Sequence, residues 1–256
     1  MCLEKFGSLG VLIILIFSAC GGTEPTKAPA EETSSTPVAA PPDLSQAGSV
    51  TGKVNFEGTV TRPKRILMGA EPLCEKKHTG PVFVRNVQVN GNGTLKNVFV
   101  WVKQGLENYS FETPEQPVVL NQDGCIYDPH VFGVQTSQPL KMLNSDAITH
   151  NIHPIPQLNR EWNETQAPGQ DKVKSFPRQE VMVSVKCNIH PWMKCYIGVV
   201  PHPYFYVTGD EGNFKLANLP PGKYIIEAWH EKFGTIEQEI MVGPMETKEV
   251  QFSFQG

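Results

Sequence analysis

The chain has 256 residues and a formal net charge of −4, with 19% charged residues and no basic run or stripe. That balance argues against nucleic acid as a partner. Its 22 glycines and 22 prolines cut the sequence into short runs rich in Val, Ile and Phe. No long stretch carries a helical period, so the expected class is all-β. Without a leader and a linker, roughly two hundred residues remain, room for one or two domains.

Gly10 to Phe17 (GVLIILIF) is an apolar run behind Lys5. It is shorter than the roughly 20 apolar residues of a spanning helix and suits the core of a signal peptide. It ends Phe17-Ser18-Ala19-Cys20-Gly21. Small residues before a cysteine resemble the lipobox of bacterial lipoproteins, with Phe17 where leucine is usual. The resemblance implies that residues 1–20 are a lipoprotein signal peptide and that Cys20 is acylated as the mature N-terminus. The alternative is an ordinary cleaved leader with an incidental Cys20. Gly21 resembles the residue that sends such lipoproteins to the outer membrane, so the expected location is its periplasmic side, held by more than one acyl chain. Residues 21–48 are rich in Pro, Thr, Ser, Ala and Glu and nearly lack large apolar side chains. They read as a disordered, extended linker that holds the folded part off the membrane.

Ser49 to Gly58, Val82 to Val89, Leu95 to Val102 and Pro117 to Leu120 read as short strands, with a turn at Asn90-Gly91-Asn92-Gly93. A β-sandwich accommodates such a set. In an exported chain Cys74 and Cys125 are expected to form a disulfide, the alternative being two free thiols. His78 and His130 lie near them in sequence. They are either solvent-facing or, with the cysteines, a second metal site of a spacing that fits no common zinc module.

The chemistry concentrates in Cys187-Asn188-Ile189-His190-Pro191-Trp192-Met193. A thiolate, an imidazole and a thioether in one short loop, with a second histidine from elsewhere, form the ligand set of a blue-copper electron-transfer site. Glu180 to Cys187 alternates as a strand that delivers the cysteine, and Cys195 to Val200 reads as the strand leaving the loop. Upstream, Leu140 to Asp146 is a strand and turn leading to His150-Asn151-Ile152-His153. Either histidine can supply the missing imidazole. Zinc also accepts Cys and His, but a thioether is a poor zinc ligand, so Met193 argues for copper.

The Cys-x-x-His-x-x-Met spacing resembles the cupredoxins, the plastocyanin- and amicyanin-like copper proteins, and is nearest to the ligand loop of amicyanin. The Asn144…His150-Asn151 segment resembles that family's first-histidine segment. The likeness covers about fifty residues, from near Leu140 to Val200. It implies a Greek-key β-sandwich and one type 1 copper held by His150, Cys187, His190 and Met193. It also implies that Asn151 stiffens the ligand loop. The equivalent of His190 is expected at the surface, with Pro191 and Trp192 forming an apolar patch for a transient redox protein partner. Trp192 as a core residue and His153 as a surface residue are the plainer assignments. Cys195 is a buried inert thiol, a partner for Cys187 in the metal-free state, or a second thiolate ligand.

Pro154 to Pro177 is polar and weakly periodic, a loop or short strands across one end of the sandwich. From Val207 on, Asp210-x-x-x-Phe214 and Leu219-Pro220-Pro221-Gly222-Lys223-Tyr224 resemble the carboxypeptidase regulatory-like β-sandwich. His230 is expected at its surface. The expected organisation is a cupredoxin-like domain over 49–202 and a second small β-sandwich over 203–256, with the strand near 49–58 joining the C-terminal sheet. The functional expectation is a lipid-anchored, periplasm-facing electron carrier that is not an enzyme. The alternatives are a metal-stabilised binding or adhesion lipoprotein and a copper carrier.

Overall fold

The computed structural model describes residues 39–256, so the expected leader, Cys20 and residues 21–38 of the linker lie outside the described residues. The rest of the expected linker is ordered by backbone hydrogen bonds. The Ser110 amide donates to the Ala40 carbonyl, and the Met245 amide donates to the Gln46 carbonyl.

The fold is all-β. In chain order the elements are β1 (Gly48–Glu57), a single helical turn α1 (Pro72–Glu75), β2 (Phe99–Gln104), β3 (Val118–Gln122) and β4 (Tyr127–Asp128). There follow β5 (Val131–Gln135), β6 (Leu140–Asn144), β7 (His150–Ile155), β8 (Glu164–Gln166), β9 (Asp171–Lys174), β10 (Glu180–Lys186) and β11 (Lys194–Val200). The chain ends with β12 (Phe205–Val207), β13 (Asn213–Leu219), β14 (Gly222–His230), β15 (Gly234–Val242) and β16 (Thr247–Gln255).

Two cores organise these strands. Sheets β5-β11-β10-β7-β8 and β4-β3-β6-β9 enclose one of them, built on Leu120, Tyr127, Met142, Ile152, Val185 and Ile197. Sheets β13-β1-β16 and β12-β2-β14-β15 enclose the other, built on Val54, Val100, Phe214, Ile226, Val242 and Phe252. The candidate ligands all sit on the first sandwich.

The expected boundary at 202 does not divide these cores. β1 lies between β13 and β16, antiparallel to one and parallel to the other. β2 lies between β12 and β14. The strand near 49–58 thus joins the C-terminal sheet as expected, β2 joins the second sandwich as well, and strands β3 to β11 of the first sandwich lie between β2 and β12 in the chain. The reason is visible in the run Val98-Phe99-Val100-Trp101-Val102, which is buried throughout. Its valines enter the second core, and Phe99 and Trp101 enter a third cluster with Val131 and Val200 of the first sandwich. A strand covered on both faces reads as a continuous apolar run and carries no sign of which sheet it joins.

That third cluster is the seam between the sandwiches. Gly133 and Gly198 are register partners on β5 and β11. A Cβ at Gly198 would run into the Phe99 ring, and one at Gly133 into the Phe205 ring. The two rings stack on each other with centroids 5.6 Å apart. The paired glycines make a flat slot that only hydrogen side chains leave open.

Val82 to Val89, expected as a strand, forms only the single-residue bridges Arg65–Phe83 and Val89–Leu95. Val82 and Val84 pack against the first core and Val87 and Val89 against the second, with the Arg85 guanidinium donating to the Tyr127 carbonyl. The polar stretch from Pro154 to Pro177 contains the two short strands β8 and β9.

Candidate metal centre

β7 opens with His150, and its alternation separates the two candidate histidines. Residues three apart on a strand point to opposite faces. His150 is fully buried, whereas the His153 ring turns outward to Glu161 Oε1 (2.5 Å) and Asn188 Oδ1 (3.2 Å). β10 delivers Cys187, and a tight loop follows. The Met193 amide donates to the His190 carbonyl (3.0 Å), and the Cys187 amide donates to the Met193 carbonyl (3.2 Å). This closure brings Cys187, His190 and Met193 into the core at 2%, 0% and 1% exposure.

The result is a convergence of donors. His150 Nδ1 and His190 Nδ1 lie 2.9 Å apart, and Cys187 Sγ lies 3.8 Å from His190 Nδ1. Ligand atoms of His150, Cys187 and His190 all fall within 4.8 Å of one another. Two metal–ligand bonds of about 2.0–2.3 Å span separations of this size, so the donor set fits a small, soft or borderline cation. Two further groups, Cys74–Cys125–His190 and Cys125–Asp146–His150, surround the same centre. Their cysteines are joined to each other in a disulfide, which leaves Cys187 as the thiolate donor of the cluster.

The surroundings fix each donor. The Asp146 carboxylate takes the Nε2 proton of His150 at 2.9 Å, leaving the Nδ1 lone pair for the centre. The same carboxylate accepts the amides of Gly124 (2.7 Å) and Cys125 (2.8 Å). Burial pushes the Asp146 carboxyl up, but the His150 bond and the two amides outweigh it and hold it below the usual carboxylate value. Burial lowers His150, yet Asp146 and Cys187 bring it above the ordinary histidine value. His190 is lowered, by burial first and then by the charge of His150. Burial raises the Cys187 thiol, and the neighbouring His150 ring and nearby amides bring it below the ordinary thiol value.

Asn151 ties the first histidine strand to the ligand loop. Its Oδ1 accepts the Asn188 amide at 2.7 Å and lies 3.3 Å from Cys187 Sγ. Its amide donates to Asn163 Oδ1 at 2.6 Å, and the Tyr127 hydroxyl donates to its carbonyl. The His190 amide points at Cys187 Sγ from 3.4 Å.

His190 does not reach the surface, contrary to the expectation from the cupredoxin resemblance. Cys74 Sγ stands 3.8 Å from its Nε2, and the Trp192 ring packs 5.3 Å from its own. The segment carrying α1 covers the histidine edge and is stapled in place. Cys74 bonds Cys125 with their Cα atoms 5.4 Å apart, His78 Nε2 donates to the Gly124 carbonyl (2.7 Å), and Lys77 pairs with Asp123 (2.8 Å). Trp192 Nε1 donates to the Cys125 carbonyl at 3.0 Å, so this side chain is half-buried, while Pro191 is exposed.

Other assignments also change. Cys195 is fully buried on β11 opposite Val185, outside the groups of converging donors, and burial pushes its thiol strongly upward. His130 and His230, expected at the surface, are 7% and 2% exposed. His130 is held by the Lys194 carbonyl (3.1 Å) and by Glu231 of the second sandwich. Asp146 and Asn163 went unread in the sequence. Asp146 had one local signal, its place four residues before His150 in the turn that also holds Asn144.

No protein-family model matches the chain, and no curated protein does. Among solved structures, the copper-containing nitrite reductase NirK from Thermus scotoductus is 20% identical over 38% of this chain and 24% of that chain, with a TM-score of 0.31. The chain thus spans about a quarter of that enzyme's length. A reduced tryptophan-to-tyrosine mutant of amicyanin is 19% identical over 34% of this chain and 86% of its own, at a TM-score of 0.31. A purple cupredoxin from Nitrosopumilus maritimus is 17% identical over 32% and 97%, at 0.28.

Proposed function

We propose that the chain is a type 1 copper protein that carries single electrons between redox partners and is not itself an enzyme. The observation that carries this reading is the meeting of His150 Nδ1, His190 Nδ1 and Cys187 Sγ in a buried pocket closed by the Met193 loop. Cys187, His150 and His190, with the Met193 thioether beside them, would hold a copper ion, which would supply a one-electron couple. The protein's part is to hold those donors still and dry. Asp146 fixes the tautomer of His150, Asn151 joins the two ligand segments, and the Cys74–Cys125 disulfide closes the outer edge of His190. This closure also favours an electron carrier over a metal carrier, because a carrier needs an open path for its cargo.

The partner side of the site is the loop surface, where Ile189 (46% exposed) and Pro191 face solvent beside Trp192. A small apolar patch of this kind suits a transient redox protein partner. The lipobox-like leader ending at Cys20 supports anchoring on the periplasmic side of the outer membrane, with the linker as spacer.

The test is optical and electron paramagnetic spectroscopy of the chain from residue 39 onward, loaded with copper. An intense visible thiolate-to-copper band is expected, and Cys187→Ser should abolish it. A colourless protein that retains zinc in preference to copper overturns the proposal and leaves a structural metal in a binding protein.

A further inference from the structure

A cavity of about 670 Å³ opens between the two sandwiches beside the ligand loop. Phe56, Arg62, Lys64, Trp192, Lys194 and Lys232 are among the residues that line it. Phe83, Arg85 and Phe233 do so too. The volume lies in the range that encloses a small organic molecule.

Its charge is unlike that of the whole chain. Five cationic side chains line it, Arg62, Lys64, Arg85, Lys194 and Lys232, in a protein of net charge −4. Arg85 pairs with Asp128 at 3.5 Å. The other four take part in none of the ion pairs among the described residues. The single acidic side chain of the lining, Glu231, is bound to His130, and the Gly256 backbone also lines the cavity. Aromatic faces sit among these cations, with Phe83 42% exposed. Those four cationic side chains are solvent-exposed; gathered like charges repel one another, and an anion bound among them relieves that repulsion.

We propose that this cavity binds a small aromatic molecule bearing one or two negative charges, an aryl carboxylate or aryl phosphate. The ring would lie among Phe56, Phe83 and Trp192, and the anionic group among Arg62, Lys64 and Lys232. The site is built from protein alone and stands whether or not the neighbouring centre holds copper. An occupant would touch Trp192, so binding is read directly by tryptophan fluorescence.

Calorimetry and Trp fluorescence on the metal-free chain from residue 39 test it with three probes: phenyl phosphate, inorganic phosphate and benzyl alcohol. One saturable site for phenyl phosphate is expected, with affinity at least about tenfold above either other probe, since charge and ring each contribute. The double variant Lys64→Glu, Lys232→Glu should weaken it a further tenfold or more at unchanged melting temperature. Phe83→Ala should weaken phenyl phosphate and leave inorganic phosphate unaffected. No saturable binding overturns the proposal. So does equal affinity for inorganic phosphate, which means an unspecific anion patch, or binding that survives the charge reversals.

Discussion

Asp146 can only accept hydrogen bonds, and it receives three, from the His150 ring and the amides of Gly124 and Cys125, with Lys77 as an ion-pair partner at 3.6 Å. Asparagine in its place would turn an NH₂ group toward at least one N–H donor. Asp146→Asn should therefore loosen both the His150 ring and the Cys125 loop, and weaken metal affinity by about 10–100-fold, as loss of such a partner typically does. Competition against a chelator measures this, and an unchanged affinity would show that Asp146 only packs. The donors themselves were legible in the sequence, because Cys187, His190 and Met193 share one short loop whose spacing has chemical meaning. Asp146 and Asn163 were not, because their roles depend on loop conformations that spacing does not encode: Asp146 meets the His150 ring four residues on, and Asn163 meets Asn151 across the β7–β8 connection.

Among the elements, the disulfide-bearing turn α1 does the most for the site beyond the strands that carry ligands. It closes a loop of sequence separation 51, for which the chain-entropy estimate is about 4 kcal/mol. Cys125→Ser should lower stability by roughly 2–5 kcal/mol, measured by urea unfolding. It should also speed metal exchange at His190, because the covering edge is released. Fast exchange in the parent protein would contradict the role of a cover. The seam makes a second demand. Gly198→Val would drive two methyl groups into Phe99, and overpacking of this kind costs about 1–3 kcal/mol. Calorimetry should show the loss, with the spectrum of the metal centre kept if only the seam is disturbed. Strand identity along the chain was mostly readable, since β10, β11, β13 and β14 alternate or sit between clear turns. The partnership of β2 was not. Burial on both faces removes the alternation that reports a strand's orientation, and its neighbours β12 and β14 lie about a hundred residues on.

For the molecule as a whole, acid sensitivity should originate chiefly in two buried histidines of the second sandwich, with His190 of the first adding to it. His202 donates from Nε2 to the Val102 carbonyl (2.8 Å) and accepts the Tyr204 amide at Nδ1 (3.3 Å). His230 accepts the Lys232 amide at Nδ1 (3.2 Å) and stacks on Phe233 with centroids 4.6 Å apart. Each ring uses a lone pair that protonation would remove. Burial lowers both to about 4 from an ordinary 6.5. The unfolded chain therefore binds more protons between pH 6.5 and pH 4, so stability is fully present above 6.5 and falls as pH drops through that window. The shift corresponds to at most about 3.4 kcal/mol per histidine. Urea unfolding of the metal-free chain at a series of pH values should show this slope. The double variant His202→Gln, His230→Gln should flatten it, even if it begins less stable at neutral pH. The same slope in the variant would place the acid-sensitive groups in the first sandwich instead. The two sandwiches share the Phe99–Phe205 seam and the His130–Glu231 contact. Acid loosening of the second should therefore reach the ligand loop through Lys194, whose carbonyl holds His130.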